Sequence, residues 1–204
     1  PMFKRRLFHG PYTREQSIRA SRAVIVCLGA LSLSSYFWSP AGWVWILVDL
    51  LGRAYFNFVL GAMAHEGSHG HLGRTRAANQ WWGRLALLPV GVVYVVFKKT
   101  HLHHHAHTNV PEKDPDEFLN APKRWQVPLR ALAMPYHWLA WIRRNHIFSR
   151  NDWVEYGLNL LGLVFVYGVI GACTGYAQML IRLVFSEVLH GLLLWYVFAL
   201  RTHE

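Results

Sequence analysis

Four long apolar stretches decide what this chain can fold into. They run from about Ala20 to Trp38, from Trp43 to about Ala64, from roughly Trp153 to Ala172, and from roughly Ala177 to Leu200. Each approaches the roughly 20 residues a helix needs to cross a hydrocarbon layer about 30 Å thick, at a rise of about 1.5 Å per residue. Lipid offers no partner for backbone N–H and C=O groups, so such segments close their hydrogen bonds internally as helices. Pro40 and Gly42 break the first stretch from the second. Trp43, Trp45, Trp153 and Trp195 lie at or near the ends, where an aromatic belt meets the membrane interface.

The chain is 53% hydrophobic, yet its mean hydropathy is only +0.15, because apolar runs alternate with basic and histidine-rich ones. The net charge of +10 does not require nucleic acid as a partner. Basic clusters flanking apolar spans follow the positive-inside rule, and anionic lipid head groups suffice to receive them. Of the 21 lysines and arginines, only Arg53 and Arg182 lie well inside the spans. The turns at Ser39–Gly42 and around Gly175 carry none. The N-terminus, the middle region and the C-terminus therefore share the cytoplasmic side. Cys27 and Cys173 both sit in apolar runs, which leaves no disulfide framework.

The middle region is more than a loop. Leu85–Phe97 is apolar but about seven residues short of a span, so it reads as an interfacial or re-entrant helix. Trp125–Ile147 mixes tryptophan, leucine and arginine and reads as interfacial. Between them, Asn109–Asn120 holds Pro111 and Pro115 with Glu112, Asp114, Asp116 and Glu117, the pattern of an ordered loop.

Thirteen histidines occur in the chain, most of them in two tight clusters. The first is His65-Glu66-Gly67-Ser68-His69-Gly70-His71 and the second His101-Leu102-His103-His104-His105-Ala106-His107. Neutral imidazole is a common ligand for transition metals. A helix advances about 100° per residue, so His65 and His69 share a face. In the second cluster His101, His104 and His105 form one face, and His103 and His107 another; spacing does not choose between them. An expression tag would be terminal and uninterrupted, whereas this tract is internal and broken by Leu102 and Ala106. His190 lies inside the fourth span, where ionisable residues are costly and usually functional, and Glu187 shares its face and can orient its ring. Asp49 and Arg53, four apart in the second span, read as a compensating ion pair.

These features give an all-α integral membrane fold of four transmembrane helices, with interfacial helices and a cytoplasmic metal-binding cap. In order, the chain presents two spans, the box His65-x-x-x-His69, an interfacial segment, the box His101-x-x-His104-His105, and two further spans. This resembles the membrane fatty acid desaturase and hydroxylase superfamily. The continuation His107-Thr108-Asn109 and Pro111-Glu112-Lys113-Asp114-Pro115-Asp116 is similar to bacterial members of its desaturase branch. The resemblance implies a non-haem di-iron centre with His65, His69, His101, His104 and His105 as ligands, and a histidine in the fourth span, here His190, as a ligand in some members. It implies O2 as co-substrate, a long-chain lipid or fatty acyl substrate, and a location in the bacterial inner membrane. A basic cytoplasmic face including Lys98, Lys99 and Arg143 would dock an electron donor such as ferredoxin, rubredoxin or a cytochrome.

One departure is plain. The family carries a third box, usually His-x-x-His-His, after the fourth span, and His203 alone does not supply it. The expectation is a single desaturase-like domain over residues 1–204, truncated at its C-terminus, with partial iron loading and no turnover on its own. Fatty acyl desaturation leads; hydroxylation or ketolation of an alkane or carotenoid uses the same histidine arrangement. A membrane zinc protease is a rival, because His65-Glu66-x-x-His69 fits the His-Glu-x-x-His pattern. It leaves the second cluster unexplained. Metal transport would require polar ligands across several spans, and the first and third are nearly devoid of them.

Overall fold

In the computed structural model, residues 13–39, 41–123 and 125–194 are described, and among them every regular element is helical. Helix α1 (Arg14–Ser34) opens on Thr13, whose hydroxyl accepts from the Gln16 amide while the Gln16 side chain accepts from the Thr13 amide. Such a reciprocal cap satisfies two orphan donors and stabilises a helix start by about 1 kcal/mol. A short 3-10 turn, Ser35–Phe37, ends this limb. Helix α2 (Trp43–Ser68) returns antiparallel to it. Helices α3 (Arg76–Leu87) and α4 (Tyr94–His107) form a hairpin, α5 (Gln126–Arg144) crosses the histidine end, and α6 (Arg150–Thr174) and α7 (Tyr176–Leu194) complete the bundle.

Among the described residues, three helical stretches are long and apolar enough to cross a membrane: Arg14–Phe37, Trp43–Ser68 and Arg150–Thr174. The fourth expected span coincides with α7, and its remainder beyond Leu194 lies outside the described residues, as does His203. The outward faces carry exposed large apolar side chains, including Trp43, Leu158, Leu161 and Phe165. A water-soluble protein rarely displays so wide an apolar surface, and lipid is its natural solvent.

Leu85–Phe97, expected as an interfacial or re-entrant helix, is not one continuous helix. Pro89 and Gly91 break it, and Gly91 takes a φ of 73° in the turn between α3 and α4. The Tyr167 hydroxyl of α6 donates to the carbonyls of Pro89 (2.7 Å) and Leu88 (3.3 Å) at this tip. Tyr167 lies roughly 25 Å along α6 by helix rise, so the hairpin plunges deep into the bundle. Tyr94, Leu60, Ala64, Leu72, Ala86, Leu87 and Val90 form the core that holds it against α1 and α2.

The Asp49–Arg53 ion pair expected from spacing is not formed. Asp49 pairs instead with Arg182 of α7, at 3.6 Å. Arg53 turns to α1, donating to the Ser32 carbonyl (3.0 Å) and the Ser35 hydroxyl (2.8 Å), and stacks 3.6 Å over the Tyr36 ring. Arg182 donates to the carbonyls of Ser35, Tyr36 and Trp38. The physical reason is the end of α1: its last carbonyls have no intrahelical donor, and buried guanidinium groups satisfy them where water does not reach.

Candidate metal centre

His65 stands in the last turn of α2, and the His69 amide closes that helix on the His65 carbonyl at 3.3 Å. His101 and His105 lie one turn apart on α4. The hairpin brings α4 back beside the end of α2, and one ring nitrogen each from His65, His69, His101 and His105 gather within 4.8 Å of one another. His69 Nε2 and His105 Nε2 each lie 3.0 Å from His101 Nε2. Two nitrogens bound in cis positions at about 2.1 Å on an octahedral ion stand about 3.0 Å apart, so the donor set fits a transition-metal ion. Phe97 stacks on His101 at 5.4 Å and 6° and fixes that ring.

Electrostatics favours the metal-binding form of these rings. Burial, and then the neighbouring imidazole of His65, push His101 down to about 3. Burial and then His65 lower His69, and burial and then His104 lower His105. Neutral imidazoles keep the lone pair that a metal needs.

Carboxylates orient the remaining rings. His65 Nδ1 lies 3.2 Å from Glu66, whose second oxygen takes His71 Nδ1 at 2.7 Å. His104 Nδ1 meets Asp114 at 2.8 Å, and the same buried carboxylate accepts from the amides of Asn109 and Asp116. His190 Nδ1 meets Glu187 at 3.0 Å. Glu187 in turn accepts from the Asn57 side-chain amide (2.6 Å), whose oxygen accepts from Ser32 (3.0 Å). A carboxylate on Nδ1 leaves Nε2 as the free donor atom, the usual arrangement behind a ligating histidine. His190 Nε2 is buried without a partner among the described residues, 3.7 Å from where a side chain at Gly61 would begin. Gly61 is one turn from His65.

The six candidate ligands thus divide. His65, His69, His101 and His105 form one group, while His104 and His190 stand outside it with carboxylate-held rings. His103 and His107 stack on each other at 4.3 Å, and His103 edges Trp141 of α5, so that pair is used for packing. The Asp114 anchor and the Asn57–Glu187 link carry no local sequence signal, since their partners lie 10 and 130 positions away. Among the expected docking cations, Lys99 is paired with Asp152 at 2.9 Å, Lys98 is half-buried, and Arg143 is exposed.

Comparison with known proteins gives the family. Residues 43–203 match the fatty acid desaturase family. The chain is 26% identical over 174 residues to an omega-3 fatty acid desaturase, fat-1, of Caenorhabditis elegans, covering 81% of this chain and 39% of that protein. It is 25% identical over 138 residues to an sn-1 oleoyl-lipid 12-desaturase of Synechocystis sp., covering 61% of this chain and 37% of the relative. The chain therefore spans less than two-fifths of either relative's length. No solved structure matches it. The family match takes in both histidine-bearing helices and most of the bundle, and the chain belongs to the fatty acid desaturase family.

Proposed function

We propose that this chain is the membrane and metal-binding part of an O2-dependent di-iron oxidoreductase that desaturates a long-chain fatty acyl lipid. The convergence of His65, His69, His101 and His105 from two helices, in a member of this family, carries the reading. His104 and His190, each with Nδ1 held by a carboxylate, are the further imidazoles that would complete a site for two ions. Iron bound there supplies the activation of O2 and the oxidation of an unactivated C–H bond. The residues of the chain supply the rest. Asp114, Glu66 and Glu187 fix ring orientation, Phe97 packs the His101 ring, and the α3–α4 hairpin sets the spacing of the two boxes. Imidazole suits this chemistry because thiolate would itself be oxidised.

The substrate class follows from the surroundings. A bundle with an apolar exterior and its histidines at one end receives a long acyl chain from the lipid rather than from water. Omega-3 and 12-position desaturation are activities of the two relatives; for this chain they support acyl desaturation without fixing the position attacked. Arg143 and Arg144, exposed in the last turn of α5, give an acidic ferredoxin, rubredoxin or cytochrome a docking surface. The basic segments support a cytoplasmic position for the histidine end, in a bacterial inner membrane.

Elemental analysis of the purified protein, with acyl profiling of cells expressing the gene that encodes it, tests the proposal. Iron in excess of zinc and a new double bond are expected. Zinc without iron would favour the His-Glu-x-x-His protease reading and end this one.

A further inference from the structure

Between the α3–α4 hairpin and α6 runs an open cavity of about 590 Å3 that no histidine lines. Its walls are apolar, with Leu85, Leu88, Val154, Leu158 and Phe165 among them. Gly162 also lines it, and a Cβ added there would meet no atom within 4 Å, so the absent side chain keeps the groove open. That volume lies within the roughly 300–1,000 Å3 typical of small-ligand sites.

The charges sit at one end. Arg84 lines the groove and pairs with Glu155 at 2.6 Å, while its Nε has no acceptor among the described residues. Lys98 stands one turn beyond Tyr94 on α4, on the same helix face. Burial, and then the nearby Arg76, lower Lys98. Lys99 pairs with Asp152 and Arg84 with Glu155, while Lys98 and Arg76 form no ion pair among the described residues, although Glu155 also acts on Lys98 from beyond contact distance. Arg76, Arg84, Lys98 and Lys99 thus stand against the two acids Glu155 and Asp152, which leaves an excess of two positive charges at this end, partly buried at Lys98. Both acids lie in the first turns of α6, so this end of the groove is the histidine end of the bundle and stands at head-group depth.

We propose that this groove binds one anionic phospholipid, with its phosphate against Lys98 and Arg84 and an acyl chain laid along α6 past Gly162. The excess positive charge selects the head group; a zwitterionic lipid fills the apolar walls but leaves that excess unbalanced. The site is separate from the metal centre and does not depend on the desaturase reading.

The test is native mass spectrometry of the chain extracted from phosphatidylcholine vesicles doped with phosphatidylglycerol. One phosphatidylglycerol should be retained, enriched roughly tenfold over its bulk fraction, since each basic residue near the surface favours an anionic lipid several-fold. Lys98→Gln with Arg76→Gln should bring the two lipids to parity, and Gly162→Leu should remove both. Metal content should be unchanged in every variant, which also reports that the bundle has formed. The charge variants leave the apolar walls intact and keep the test valid if Gly162→Leu does not insert. Equal retention of the two lipids by the unmodified chain would overturn the proposal, as would enrichment that survives loss of both cations. Oleate retained in place of phospholipid, and blocked by Gly162→Leu, would make the groove an acyl substrate channel and equally overturn it.

Discussion

His69 Nε2 and His101 Nε2 lie 3.0 Å apart although 32 positions separate them in sequence. That closeness is set by helix packing and not by a loop. Gly67 on α2 and Gly83 on α3 are small enough for the Tyr94 ring of α4 to lie against both, which locks the hairpin beside the end of α2. A ligand set carried on packed helices is held more closely than one carried on loops.

The structure divides the second histidine cluster into two uses, and substitution should separate them. His101→Ala removes the nitrogen that both His69 and His105 approach. Cobalt or iron affinity, read by equilibrium dialysis, should fall by more than the roughly 10–100-fold that loss of an outer partner costs. His103→Ala removes a ring packed on His107 and Trp141 and should leave affinity unchanged. Equal losses in both variants would mean that the cluster binds metal as a loose tract.

Asp114 is buried, at 4% exposure, and accepts from three donors: the His104 ring and the amides of Asn109 and Asp116. Asp114→Asn replaces one acceptor oxygen by a donor that faces another donor. Metal affinity should drop by about 10–100-fold. The loop after α4 should loosen at a cost of about 1–3 kcal/mol, read as a lower melting temperature in detergent. Unchanged affinity would assign Asp114 to the loop alone and remove His104 from the ligand set.

Glu187 joins α2 to α7 by accepting from Asn57 and His190. Glu187→Leu leaves two buried donors unpaired, and the expected destabilisation is about 1–3 kcal/mol for each group left without a partner. Adding Asn57→Leu should recover part of that loss, because removing both partners is less harmful than removing one. Thermal unfolding of the two single variants and the double variant is the measurement. Strictly additive losses would show that the contact contributes no coupling.

What the sequence made legible follows from how far each signal reaches. Twenty-residue apolar runs declare helices whatever they pack against, so α1, α2, α6 and α7 were readable. The Pro89–Gly91 break was also written in the chain, but thirteen apolar residues mask a turn whose carbonyls are satisfied by Tyr167, 78 positions away. Asp49 met Arg182 rather than Arg53 because spacing four residues apart says only that two side chains can meet, not which competitor arrives from another helix. The two pairs in the second cluster, His101 with His105 and His103 with His107, are identical by period. Phe97 against His101 and Trp141 against His103 distinguish them, and those contacts exist only once the helices pack.

Tyr94 carries the last prediction. Its side chain is 1% exposed, its hydroxyl has no partner among the described residues, and a Cβ added at Gly83 would fall 2.2 Å from its Cζ. Gly83→Ala should therefore destabilise the protein by about 1–3 kcal/mol through overpacking. Tyr94→Phe removes a buried hydroxyl that has lost its water and gained nothing, so it should be neutral or stabilising near pH 7. The two proteins should also differ in alkali. Burial pushes Tyr94 up to about 12 in the folded chain, against about 10 when unfolded. The raised value means the folded state keeps a proton that the unfolded state releases. Its contribution is complete below about pH 10 and declines as pH rises toward about 12. Melting temperatures measured between about pH 9 and pH 11 should fall more steeply for the unmodified chain than for Tyr94→Phe. Parallel curves would show that Tyr94 titrates as an ordinary tyrosine despite its burial.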